Sequence, residues 1–111
     1  MEKGLFDLTG RVAIVTGASR GLGQYFARAL ARAGADLVIT SRDEASLGEF
    51  RKEVESLGVR ALPLELDVRD YDSIQRMVEA AFEHYGKIDV LVNNAGCNRR
   101  KGSLEVTWDD W

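Results

Sequence analysis

The sequence predicts an α/β fold built on a parallel sheet. Four short apolar strand patterns alternate with three helical patterns, and this alternation is typical of βαβ units with right-handed crossovers. The chain has 111 residues, of which 45% are hydrophobic and 30% charged, the usual size and composition of one globular domain. We therefore expect residues 1–111 to form a single domain.

The first strand and helix come from residues 12–34. Val12–Val15 is apolar at successive positions, which favours a central strand that is covered on both faces. A helix is predicted from Gly21 to a stop at Gly34. Its predicted apolar stripe has residues spaced by three and four positions: Leu22, Phe26, Ala29, Leu30 and Ala33.

The second unit repeats this pattern. A strand over Leu37–Thr40 leads to Ser41, which is followed three residues later by Glu44, and this spacing is typical of a helix-starting capping box. We expect the second helix to follow directly and to end at Gly58. Its apolar face is formed by Leu47, Phe50, Val54 and Leu57.

The third and fourth strands complete the predicted sheet. Pro63 removes a hydrogen-bond donor from the strand Ala61–Leu66, which indicates a position at a sheet edge. Asp70 is the expected N-cap of a third helix that stops at Gly86, and the fourth strand is Asp89–Asn93. The strand order 3-2-1-4 then gives the first half of a Rossmann-type doubly wound sheet.

Composition argues against several classes of function. The 15 basic and 18 acidic residues give a net charge of -3, so no positive excess exists to attract nucleic acid. No apolar run approaches the roughly 18 residues of a membrane-spanning helix, and a cytoplasmic protein is the expectation. Cys97 and His84 are the only residues of their types, so we expect no metal site.

A glycine-rich turn lies between the first strand and the first helix. Gly17, Gly21 and Gly23 are spaced so that the backbone can turn tightly, approach a ligand and pack closely. Free backbone N–H groups at such a helix start face an anion, which predicts a pyrophosphate site. The alternative is a tight turn without a ligand.

Three ordered motifs together resemble the short-chain dehydrogenase/reductases. They are Thr-Gly-x-x-x-Gly-x-Gly at 16–23, Asp-Val at 67–68 and Asn-Asn-Ala-Gly at 93–96. The resemblance covers essentially the whole chain and the N-terminal, cofactor-binding half of a family domain. Residues 5–11 and 97–101 are similar to gluconate 5-dehydrogenase-like members, and the basic run at 99–101 would suit a sugar acid or form a solvated loop.

The resemblance implies a set of residues that bind a nicotinamide dinucleotide. The phosphates would be held by Gly17, Gly21 and Gly23 and by the backbone of Ser19, Arg20 and Leu22. Asp67 would accept from the adenine amino group, beside the Val68 backbone, or would instead only cap the next turn. Asn93 would join the fourth strand to the first, and Ala95 and Gly96 would line the ribose and the path to nicotinamide.

The choice between NADP and NAD depends on charge at the end of the second strand. Ser41 and Arg42, with Arg20, would suit a 2′-phosphate, so NADP is the preferred cofactor and NAD the other candidate. Asp43 stands near the place of an NAD-selecting acid, although the capping box would place it inside the helix. The arginines could also be solvated surface residues.

The family's catalytic Tyr-x-x-x-Lys motif, with its upstream serine, has no match in the sequence. The three tyrosines are followed four residues later by Ala29, Gln75 and Asp89. A helix start at Thr107 is followed by only four residues, so a truncated chain is the expectation. We thus expect no catalytic residue and the NADP(H)-binding half of an oxidoreductase acting on an alcohol or ketone.

A non-catalytic binding or assembly module is the alternative to this function. Its fourth strand would be exposed at the sheet edge and would pair with another chain. The expected assembly is a homo-oligomer or pairing through this exposed strand.

Overall fold

A computed structural model of the chain describes residues 7–19 and 21–94. Its strands are β1 (Val12–Val15), β2 (Asp36–Ser41), β3 (Ala61–Glu65) and β4 (Val90–Val92). Its α-helices are α1 (Gly21–Arg32), α2 (Gly48–Glu55) and α3 (Tyr71–Tyr85), and a 3₁₀ helix spans Glu44–Leu47. All the strand pairs are parallel and the order is β3-β2-β1-β4, which confirms the predicted fold class.

The register brings the carboxyl ends of the strands to one edge of the sheet. Val15 at the end of β1 lies level with Ile39 of β2 and Val92 of β4. The loops that follow these strands therefore meet at the same edge. β3 has β2 as its partner and lies at one side of the sheet, where Pro63 is tolerated as predicted.

The sheet is covered on both faces, and β1 is its buried centre. Ala13 and Val15 belong to a core cluster shared with α1 and α2, whereas Val12 and Ile14 belong to a second cluster shared with α3. All four β1 side chains are buried. The alternation along one apolar strand thus serves two separate layers of helices, which confirms the prediction for this strand.

The predicted apolar stripe of the first helix is partly wrong. α1 buries Gly23, Ala27 and Ala31, while Leu22 is 57% exposed. Small side chains on the buried face allow the helix axis to approach the sheet closely, and the larger Phe26 and Leu30 pack only at the margin of the cluster. The stripe predicted from the large apolar residues is therefore displaced from the face of α1 that is buried.

The capping box predicted at Ser41 is also wrong. Ser41 still belongs to β2, and Asp43 caps the following 3₁₀ helix by accepting a 3.1 Å hydrogen bond from the Ala45 N–H. The α-helix begins only at Gly48. Continued pairing of β2 with β3 as far as Ser41 and Glu65 keeps Ser41 extended, so the capping role passes to Asp43.

The third helix begins and ends as the sequence predicts. Asp70 caps α3 through a 3.0 Å hydrogen bond from the Asp72 N–H, and Gly86 ends it in the left-handed conformation. Met77 and Ala81 are buried against the second cluster. This helix fixes the loop between β3 and α3, which contributes to the candidate site.

Candidate functional site

The glycine-rich turn leads from the end of β1 to the start of α1. Gly17 and Gly21 have φ angles of 65° and 58°, which residues other than glycine rarely adopt. A Cβ at Gly21 would meet no atom within 4 Å, so this position faces open space. The Ala18 N–H donates to the Thr40 carbonyl at 2.8 Å, which anchors the turn to β2.

Gly23 marks the closest approach within the turn. A Cβ at this position would overlap the Gly17 carbonyl oxygen and lie 3.0 Å from the side-chain nitrogen of Asn94. The Asn94 side chain donates to the same Gly17 oxygen at 3.3 Å. The first turn of α1, the glycine turn and the residues after β4 are therefore packed with no room for a side chain at residue 23.

The amino end of α1 differs electrostatically from that of the other helices in the described part of the chain. Its first turn holds no acidic residue. By contrast, Glu44, Glu49 and Asp72 lie in the first turns of the 3₁₀ helix, α2 and α3. A carboxylate satisfies the positive end of a helix, so its absence from α1 leaves the partial charge available to an external anion such as a phosphate.

A hydrogen-bond network joins the ends of β1 and β4 beneath the turn. The Thr16 hydroxyl donates to the Asn93 side-chain oxygen at 2.9 Å and accepts from the Asn94 N–H at 2.8 Å. The Thr16 N–H donates to the Val92 carbonyl at 3.0 Å. The network supplies the contact between strands that was predicted for Asn93, while a role of Asn93 toward a cofactor stays a prediction.

Thr16 and Asn94 are two residues at this edge that sequence reasoning missed. Both occur within the motifs at 16–23 and 93–96, but neither was given a role. Their polar side chains directly after apolar strands were the available signal, because polar groups at the carboxyl ends of parallel strands meet at one edge. Asn94 contacts the Gly17 carbonyl of the glycine turn, and Thr16 joins Asn94 to the end of β1.

The loop after β3 holds Asp67 in a fixed orientation. Asp67 accepts a 3.0 Å hydrogen bond from the Arg69 N–H, and its own N–H donates to the buried Ser73 hydroxyl at 3.0 Å. The Arg69 side chain, its backbone N–H and the nearby charge of Arg42 lower the pKa of the Asp67 carboxyl. Asp67 does cap its own turn, the alternative raised from the sequence; its adenine role stays a prediction.

The structure brings the end of β2 close to this loop. Arg42 is exposed, and its charge acts on Asp67. Ser41 is buried, and its hydroxyl accepts from the Asp43 N–H at 3.2 Å. Asp43 lies before the 3₁₀ helix rather than inside a helix, with its carboxylate engaged in capping. Arg42 and Asp43 are both exposed, and Arg42 is the positively charged residue of the three.

The remaining predicted residues divide between described and undescribed positions. Leu22 is exposed in the first turn of α1, and the Ser19 carbonyl accepts from the Gln24 side chain at 3.0 Å. Val68 packs against the second core cluster. Arg20, Ala95 and Gly96 lie outside the described residues, as does the sequence from 97 to 111.

One buried polar group at this edge lacks a partner. The Thr40 hydroxyl is fully buried, and no atom of the described chain accepts or donates a hydrogen bond to it. Such groups are normally satisfied by ordered water or a ligand. Within residues 7–19 and 21–94, no group of three metal-ligating side chains occurs, and no helix combines the length and apolar character needed to cross a bilayer.

Comparisons with known proteins agree with this geometry. The family model described as short chain dehydrogenase matches residues 11–111. The chain is 44% identical over 106 residues to the 2-dehydro-3-deoxy-D-gluconate 5-dehydrogenase of Escherichia coli K12, covering 96% of the chain and 41% of that protein. It is 42% identical over 107 residues to the gluconate 5-dehydrogenase of Gluconobacter oxydans 621H, covering 96% and 42%.

A solved structure with a bound dinucleotide is also similar. A metagenomic short-chain oxidoreductase in complex with NADP superimposes with a TM-score of 0.76 at 42% identity, covering 80% of this chain and 40% of that one. The chain thus spans about two fifths of the length of the relatives it matches. The matched motifs, sheet order and sequence identity together show that the chain belongs to the short-chain dehydrogenase family.

Proposed function

We propose that this chain binds NADP(H) at the carboxyl edge of its sheet and forms the cofactor-binding half of an oxidoreductase. The observation that carries the proposal is the glycine turn at the amino end of α1. Its close approach at Gly23, the open space at Gly21 and the absence of an acid from the first helical turn fit a pyrophosphate.

The other contacts would come from the loops that the register brings to the same edge. In addition to the three glycines, the backbone of Ser19, Arg20 and Leu22 would bind the phosphates. Asp67 and Val68 would contact the adenine, and Asn93, Ala95 and Gly96 would support and line the path toward nicotinamide. Arg42, with Arg20 and Ser41, would favour the 2′-phosphate of NADP over the hydroxyl of NAD.

The proposed reaction is hydride transfer between nicotinamide and an alcohol or ketone. When bound, the dinucleotide supplies the hydride donor or acceptor, and this chain's residues bind and orient it. A sugar acid is the proposed substrate class, since two of the relatives are named for the oxidation of gluconate derivatives. None of the three tyrosines has a lysine four residues later, so we assign cofactor binding to this chain and expect no turnover by it alone.

Titration calorimetry with NADPH and NADH tests the proposal. We expect the 111-residue chain to bind both, with NADPH bound more tightly. Arg42→Ala should weaken NADPH binding by about tenfold or more and change NADH binding little, because an ionic hydrogen bond to the phosphate contributes about 1.5–3 kcal/mol.

Arg76→Ala supplies the matched control. Arg76 is an exposed arginine of α3 and is not among the proposed cofactor-binding residues, and its replacement by alanine makes the same change in net charge. Equal losses for both cofactors with Arg42→Ala would remove the argument for NADP. An absence of heat with either dinucleotide, from a chain with native circular dichroism, would refute the binding function.

A further inference from the structure

We infer that Arg69 is a positioning residue, which holds the Asp67 carboxylate in the orientation that reads the amino group of adenine. The inference rests on the proposed dinucleotide-binding function and deepens it. It assigns a role in base selectivity to a residue that neither the motifs nor the sequence reasoning had singled out.

The contacts between the two side chains form a fork. The Arg69 Nε lies 3.1 Å from Asp67 Oδ1, and Arg69 Nη2 lies 3.2 Å from Asp67 Oδ2. The Arg69 N–H donates to Oδ1 as well, at 3.0 Å. A guanidinium that bonds both oxygens fixes the plane of a carboxylate, which a single contact cannot do.

The backbone of Asp67 is fixed independently of Arg69's side chain. Its N–H donates to the Ser73 hydroxyl at 3.0 Å, and its carbonyl accepts from the Asp70 N–H at 3.0 Å. Ser73 is buried at the start of α3, so these contacts tie the loop to the helix. The main chain therefore sets where Asp67 stands, and Arg69 sets how its side chain is turned.

The fork leaves Asp67 able to bind a further donor. A carboxylate offers about four lone-pair positions. Within the described chain, Oδ1 receives two donors from Arg69 and Oδ2 receives one. A position on Oδ2 thus stays open to an exocyclic amino group, and the Asp67 side chain is 35% exposed and accessible to a ligand.

The exposure of Arg69 argues against a mainly structural role. Its side chain is 73% exposed, and ion pairs between exposed side chains contribute little to stability. Removal of this fork should therefore change the stability of the folded chain little. A change in ligand selectivity would be its main consequence.

The test compares two dinucleotides that differ only at the purine. Nicotinamide hypoxanthine dinucleotide carries a carbonyl where adenine carries the amino group, so position 6 of this purine cannot donate to Asp67. We expect the wild-type chain to bind NAD more tightly than this analogue. Arg69→Ala should reduce that preference by about three- to tenfold, the coupling expected between neighbouring groups, mainly through weaker NAD binding.

Four further variants sharpen the measurement. Asp67→Ala removes the acceptor and should abolish the preference, and adding Arg69→Ala to it should have no further effect on the preference. Arg69→Lys keeps the charge without the fork and should recover only part of the preference. Arg51→Ala removes an exposed arginine from another ion pair, 3.3 Å from Glu55, and should leave the preference unchanged.

The outcomes separate this inference from the proposed function. Absence of binding of either dinucleotide by the wild-type chain would refute the binding function itself. If the wild-type chain binds both dinucleotides and Arg69→Ala weakens both equally, the preference for NAD is unchanged and only the positioning role is overturned. A greater preference for NAD in Arg69→Ala would also overturn only that role. Full recovery by Arg69→Lys would also overturn it, because charge alone would then suffice.

Discussion

At the scale of single residues, Gly23 is the position that the site can least change. It lies inside α1, where alanine would ordinarily favour the helix, yet the Gly17 carbonyl oxygen occupies the place of a Cβ. Backbone atoms at such a distance cannot rotate away as a flexible side chain can. The helix start and the glycine turn would have to separate to accept any side chain.

We predict that Gly23→Ala lowers the free energy of unfolding by about 1–3 kcal/mol and abolishes dinucleotide binding, because overpacking would displace the turn. Gly48→Ala is the control: Gly48 is also helical, but a Cβ there would meet no atom within 4 Å. Urea unfolding and calorimetry on both variants measure the difference. Equal effects of the two substitutions would contradict the packing argument.

At the scale of elements, Asp89 fastens β4 to β1 at the amino edge of the sheet. Its carboxylate accepts from the Val12 N–H at 2.9 Å and lies 3.4 Å from the Lys87 ammonium and 3.6 Å from the Arg11 guanidinium. These contacts, chiefly the hydrogen bond from Val12, lower the pKa of Asp89. The ionised carboxylate is thus more favourable in the folded chain than in the unfolded one.

We predict that Asp89→Asn destabilises the chain at neutral pH and that the difference from wild type shrinks as the pH falls. A lowered folded-state pKa contributes stability above the unfolded-state value of about 3.9, and this stability is lost as the pH falls through the folded-state value. Urea unfolding at a series of pH values measures it, with exposed Glu79→Gln as the control. A difference that stays constant below pH 4 would count against this role.

The elements also show what the sequence could predict. The caps of α3 and the edge position of β3 follow from local signals, namely Asp70 and Gly86 at the helix ends and Pro63 in a strand. The strand order follows from the alternation of strand and helix patterns along the chain. The buried face of α1 and the split of the second helix depend on neighbours in space. Close packing of small residues against the sheet determines the buried face of α1, and continued pairing of β2 with β3 determines where the second helix begins. Neither effect can be read from the residues of the helix alone.

The site shows the same division. The glycine spacing and the motif at 93–96 located it at the carboxyl edge. The fork between Arg69 and Asp67 and the Thr16 network were not predictable, because side-chain orientation after a strand depends on tertiary contacts. The capping of the 3₁₀ helix by Asp43 was not predictable for the same reason, because the pairing of β2 with β3 keeps Ser41 in the strand.

At the scale of the whole molecule, the outer edge of β4 is the feature with the widest effect. In residues 7–19 and 21–94, β4 pairs with β1 on one side only. The Asp89 N–H donates to Val12. Alternate N–H groups of a strand point to opposite sides, so the Val90 N–H points away from β1. Unpaired edges of this kind favour association with a second chain.

We predict that the 111-residue chain self-associates, with a weight-average mass that rises with concentration in sedimentation experiments. Val90→Pro removes one outward donor at the first residue of β4 and should reduce association while leaving circular dichroism unchanged. A mass of 12.3 kDa at all concentrations would contradict the prediction. So would equal association of a folded Val90→Pro chain.

The network between Thr16 and the residues after β4 also has a consequence for synthesis. Thr16 and Asn93 are separated by 77 positions along the chain, so the glycine turn is synthesised long before the residues after β4 that contact it. Contacts between such distant segments form slowly, because a long loop must close first. On the ribosome, the turn would therefore acquire its final shape only after nearly the whole described chain had emerged.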